Sequence, residues 1–169
     1  MIVRKNAIFH IVVALPLLSA SILSGGCRRV GDVVWSEFAA VGRNGWDPVM
    51  SQEFMPWPFD SVTNPSDRYT LAVCVRHTSR KPLAPLHLIA IQEWSDGKSV
   101  ADTLRISLTP PPNTPSGRGA YGIYETLDTL TTDLRLTPGY SVTLRSLSPA
   151  AQTRGLTNVG LVLSLSSKH

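Results

Sequence analysis

The residue types that usually carry out chemistry are scarce in this chain. There are two cysteines and four histidines in 169 residues. His10 falls in an apolar N-terminal segment and His169 is the last residue, which leaves His77 and His87. Neither stands beside a plausible nucleophile. There is no G-x-S-x-G string, so a serine on a strand-to-helix elbow is excluded. Cys74 and His77 lie close together, but a zinc site needs a second pair at ligand spacing and none follows. Glu93, Asp96, Glu125 and Asp128 are present, yet nothing in the spacing pairs them for acid–base work. Lys and Arg do not cluster with interleaved aromatics, so nucleic acid is not an expected partner. Gly117–Gly122 matches G-x-G-x-x-G, but that chemistry needs a strand before the string and a helix after it. Here a proline-rich loop precedes and the strand-like Ile123–Leu127 follows. The expectation is no catalytic residue, no metal and no cofactor.

Helical periodicity is also missing. No segment after residue 27 keeps a 3.6-residue apolar repeat over three turns, whereas period-two alternation recurs throughout. Tyr69, Leu71, Val73 and Val75 share one face of a strand. Leu86, Leu88, Ala90, Gln92 and Trp94 share another. Leu104, Ile106 and Leu108 repeat the pattern, as do Tyr140, Val142 and Leu144, and finally Val159, Leu161, Leu163 and Leu165. Weaker strand candidates are Asp32–Phe38, Val49–Phe54, Tyr121–Leu127 and Leu130–Leu136. Asn64–Asp67, Ser95-Asp96-Gly97 and Thr137-Pro138-Gly139 read as turns, and Thr109–Gly117 as a loop. Short strands separated by such turns predict an all-β fold: a single antiparallel β-sandwich, jelly-roll or Ig-like.

The N-terminus carries an address. Arg4 and Lys5 precede a mostly apolar stretch, residues 7–23, and Ser24-Gly25-Gly26 lead into Cys27. A spanning helix needs about 20 apolar residues, and this stretch is shorter and is interrupted by His10 and Pro16. A charged start, a short apolar core and small residues describe a secretory signal peptide, and a cysteine at the cleavage point resembles a bacterial lipobox. The expected organisation is a lipoprotein signal peptide at 1–26, a lipidated N-terminus and tether at 27–32, and one sandwich domain at 33–169. Acyl chains on Cys27 would hold the protein to a membrane, and two or more chains make such attachment stable. Two of the 16 Lys and Arg precede Cys27 and all 12 Asp and Glu follow it, so the exported chain has a formal charge of +2 (14 − 12). Cys74 then has no intrachain partner and reads as a buried thiol acting as a small hydrophobe.

Four tryptophans remain: Trp35, Trp46, Trp57 and Trp94. Met55-Pro56-Trp57-Pro58-Phe59 singles itself out, because two prolines hold Trp57 and Phe59 in an extended segment. Trp57 and Phe59 are the interface candidates, since large aromatics anchor protein contacts. The tryptophans also suggest an alternative, a carbohydrate-binding envelope lipoprotein in which exposed rings stack on sugars.

The order of features, rather than any one of them, resembles the GldH-type gliding-motility lipoproteins of the Bacteroidetes. Cys27 is followed by Trp46-Asp47, Phe54, the Tyr69–Thr78 strand, Pro82–Leu86, Asp102-Thr103-Leu104, Gly117–Gly122, Gly139-Tyr140 and Gly155–Leu161. The resemblance implies a non-enzymatic lipoprotein that binds envelope proteins in gliding or type IX secretion-associated machinery. Exported surface lipoproteins of that group carry acidic residues after the cysteine. Arg28-Arg29-Val30-Gly31 stands here instead, so the expected location is the outer membrane, facing the periplasm.

Overall fold

A computed structural model describes residues 33–56, 66–78, 83–108 and 123–166. Cys27, Trp57, Phe59, His169 and the Gly117–Gly122 string lie outside the described residues. Eight strands appear in order: β1 (Val33–Ala40), β2 (Ser51–Phe54), β3 (Tyr69–His77), β4 (Leu86–Glu93), β5 (Ser99–Ile106), β6 (Tyr124–Leu134), β7 (Ser141–Ser146) and β8 (Leu156–Leu165). One 3-10 turn, Ala150–Thr153, separates the last two.

The strands form two four-stranded sheets, ordered β1-β8-β3-β6 and β2-β7-β4-β5, and every strand pair is antiparallel. Each pair of sequence neighbours β1/β2, β2/β3, β6/β7 and β7/β8 is split between sheets. That interleaving of eight strands into two packed Greek keys is a jelly roll, which decides between the two sandwiches expected from the sequence.

Alternation drives the packing. On β3, Leu71, Val73 and Val75 are fully buried against the other sheet. Val159, Leu161 and Leu163 do the same from β8, and Leu86, Leu88, Ala90, Val142 and Leu144 answer from β4 and β7. Each fully buried Leu or Val contributes about 1.5–3 kcal/mol relative to an exposed one. Tyr69, Phe54 and Tyr140 supply the largest of the fully buried side chains.

β6 departs from the expectation of two short strands. It is one strand from Tyr124 to Leu134. Its register against β3 slips twice, between Tyr69 and Leu71 and between Leu71 and Ala72, as extra β6 residues accumulate around Leu130–Asp133. Each bulge reverses the phase of the in/out pattern, so no single period-two series spans the strand.

β8 carries a glycine at its centre. Gly160 lies opposite Phe38 of β1 and Cys74 of β3. A Cβ there would press into the Glu37 carbonyl oxygen and the Phe38 ring. Glycine in a strand interior marks such a close approach. Gly160→Ala should therefore lower stability by about 1–3 kcal/mol, in the range of overpacked positions. Gly42→Ala, where a Cβ meets nothing within 4 Å, should be close to neutral. Paired thermal melts check the contrast.

Candidate functional site

Three surface features emerge from this frame. The first is on the outer face of the β1-β8-β3-β6 sheet. Antiparallel register places Phe38, Gly160, Cys74 and Leu127 in one cross-strand row. With no side chain on Gly160, the Phe38 ring settles over the strand, and the Arg76 guanidinium stacks 3.7 Å above that ring. Arg76 Nε donates to Glu125 Oε2 at 2.8 Å. A ring, a cation and a carboxylate thus bridge all four strands. The charge pair is neutral overall, and a cation over an aromatic face contributes about 0.5–2 kcal/mol. Beside it is a shallow groove of about 270 Å³ bordered by Val33, Leu127 and Val162.

Cys74 is under this bracket, fully buried and unbridged. Burial pushes its thiol up to about 12, the neighbouring Glu125 carboxylate adds to the rise, and Arg76 opposes it. His77 is buried on the core face of the same strand and stacks on Tyr124 at 5.4 Å. An odd separation along β3 puts Cys74 and His77 on opposite faces, so they cannot hold one ion together. Among the described residues no group of three or more His, Cys, Asp or Glu could hold a metal. His87 is exposed near the start of β4.

The second feature is at one end of the sandwich. The β4–β5 hairpin turns through Trp94–Lys98, closed by Gly97 N–H donating to Trp94 O at 2.9 Å and Trp94 N–H donating to Lys98 O at 2.9 Å. Gly97 takes the left-handed φ of 84° that the turn demands. Between this hairpin and the bulged end of β6 opens a cleft of about 400 Å³. Trp94 packs against Tyr140 at 5.1 Å with a 55° tilt, and the Lys98 ammonium is 4.8 Å from the indole centroid. A buried chain of hydrogen bonds leads to the wall: Tyr140 Oη donates to Gln92 Oε1 at 2.8 Å, and Gln92 Nε2 donates to Asp102 Oδ2 at 3.3 Å. Facing it are Thr131, Thr132, Asp133 and Arg135. Asp133 adopts a left-handed φ of 56° and pairs with Arg68 at 3.4 Å.

The third feature is the edge strand β2. Val49, Met50 and Met55 flank it with relative exposures of 83, 57 and 59%. The chain continues from Met55 into Trp57 and Phe59, outside the described residues. Of the other tryptophans, Trp46 is core, its indole N–H donating to Met50 O at 3.0 Å, and Trp35 is half-buried against the core.

The decisive comparison is with a family model. The model described as GldH lipoprotein matches residues 33–163, from the first residue of β1 into β8. The chain belongs to the GldH lipoprotein family. It is accordingly a lipid-anchored protein of the cell envelope. The GldH lipoprotein family is not a known enzyme family. No curated protein matches the chain. Within this GldH lipoprotein, the sequence pointed to Trp57 and Phe59 but not to the Trp94 cleft. Its residues come from three strands and a hairpin, and only Trp94 stood out beforehand.

The shifted acids have a measurable consequence. Burial also raises the Tyr69 and Tyr140 hydroxyls, with Asp67 adding at Tyr69. All three groups are neutral acids that the fold keeps protonated. Their folded values exceed the unfolded ones, so their contribution is complete below about pH 9 and is lost as pH rises toward 12. Urea titrations at rising alkaline pH should show stability falling by about 1 kcal/mol per unit or more. Cys74→Ala should reduce that slope. A thiol reagent at pH 8 should leave Cys74 unmodified until the chain unfolds.

Proposed function

We propose that this chain is exported, cleaved before Cys27 and acylated there, and works as a non-enzymatic protein-binding module of the outer membrane, facing the periplasm. Residues 1–26 are the signal peptide, 27–32 the tether and 33–169 the binding domain. The partners are envelope proteins of gliding or type IX secretion-associated machinery, in keeping with the family. Six residues of chain from Cys27 to Val33 reach at most about 20 Å, which keeps the domain next to the bilayer.

The observation that carries this reading is the exposed apolar surround of β2. A strand at a sheet edge presents unpaired backbone groups to an incoming extended segment. Val49, Met50 and Met55 leave apolar surface beside that edge. Trp57 and Phe59 follow within five residues of Phe54 and supply the aromatic anchors typical of interface centres.

Crosslinking in cells followed by membrane pull-down tests the proposal. Gliding or secretion components should be recovered with the native chain and lost with Trp57→Ala and Phe59→Ala, without a change in melting temperature. Recovery of no specific partner would overturn it. Cys27→Ser should move the protein from the membrane to the soluble periplasmic fraction. Protease added to intact cells should leave the native protein whole; its digestion would reverse the assigned orientation.

A further inference from the structure

We infer that the cleft between the β4–β5 hairpin and the bulged end of β6 is a binding site for a neutral saccharide. The inference goes beyond the protein-binding role and uses a different part of the molecule. Its residues are Trp94, Lys98, Asp102, Thr132, Asp133 and Arg135.

The volume, about 400 Å³, is that of an ordinary small-ligand site. The floor is an indole held from behind: Tyr140, itself fully buried, packs on Trp94, and both backbone groups of Trp94 close the hairpin. An aromatic face fixed in this way offers a platform for the C–H face of a pyranose ring. The Lys98 ammonium overhangs that face at 4.8 Å. It is the flexible end of a four-carbon chain. A sugar ring would take its place on the indole and leave the ammonium free to donate to a hydroxyl.

The walls supply hydrogen-bonding groups of both kinds. Lys98 and Arg135 donate, Asp102 and Asp133 accept, and the threonine hydroxyls do both. Among the lining residues the two cations equal the two carboxylates in number, and Asp133 is further balanced by Arg68 outside the cleft, so neither sign of charge dominates the wall as a polyanion site would require. A ligand that is uncharged and dense in hydroxyls satisfies such a wall. Asp102 is oriented from beneath by the Tyr140–Gln92 chain, whose central amide is 4% exposed. A buried amide whose oxygen accepts from Tyr140 and whose nitrogen donates to Asp102 orients that carboxylate at the wall. Opposite it, the β6 bulges and Asp133, at a left-handed φ uncommon for a non-glycine residue, shape the second wall. Such conformations gather at ligand clamps, and bulges re-aim side chains toward sites.

The test uses the full lipidated chain in nanodiscs, titrated calorimetrically with cellobiose, chitobiose and maltose, and with galacturonic acid oligomers and inorganic phosphate as charged probes. At least one neutral sugar should bind saturably below about 10 mM, a concentration that captures even weak sites. The charged probes should not bind more tightly than it does. Asp102→Asn and Thr132→Ala should each weaken the sugar about tenfold, the effect of losing one hydrogen bond to a charged or fixed group. Trp94→Phe should weaken it and abolish the accompanying fluorescence change. Thr132 is exposed, so its variant separates a lost contact from a damaged fold, and partner capture through β2 should be unaffected in it. Absence of saturable binding by all three neutral sugars would overturn the inference. So would tighter binding of a charged probe, or full binding by both Asp102→Asn and Trp94→Phe.

Discussion

The pairing of β3 with β8 is the constraint on which the rest of the molecule depends. It joins Tyr69 to Leu165 and runs in register to His77 and Leu156, with one slip at the end. Both strands are buried along nearly their full length. β1 and β6 each hydrogen-bond to only one of these two. The first strand of the sandwich therefore has no partner until the last one arrives. Closing a connection that spans most of the chain carries an entropic penalty that only the completed core repays. The sheet is consequently a late and cooperative product, and the interactions on its outer face exist only in the finished fold.

The two described surface sites are opposite solutions to one problem. Over Gly160, polar groups cross the strands and neutralise each other: Phe38 carries Arg76, and Arg76 holds Glu125. That arrangement shields the outer side of β3 and β8 and keeps Cys74 dry. In the cleft, the polar groups line a concavity, fixed from behind by Tyr140 and Gln92 and left available in front. The same residue types thus seal one surface and furnish another. What differs is the backbone, with a single register slip at the Arg76 end of the bracket and two bulges of β6 beside the cleft.

Those differences decide what could be read beforehand. β3, β4 and β8 are legible because one face of each is apolar over at least three alternate positions, and a two-residue period has no other stable reading next to a core. The fold class followed, and the Ser95–Gly97 turn landed where glycine permits a left-handed residue. β6 reads as two fragments in the sequence, since Leu127 faces outward and Leu134 inward across two bulges. The cleft was hidden for a related reason. Trp94, Asp102 and Asp133 become neighbours only through strand order, and strand order leaves no periodic trace. The one local hint was a polar Gln92 in the apolar series of β4, a buried amide that had to find partners.

β6 is at the rim of its sheet, where an uninterrupted ladder would be open to another strand. Two bulges break that ladder, and Asp128 sits in the register row of the core-facing Val73. A protein fastened to a membrane is confined to a surface, where copies of it collide far more often than they would in free solution. Irregularity along this rim keeps such encounters from becoming growth of a shared sheet. The price of anchoring is crowding, and a crooked strand is one way of living with it.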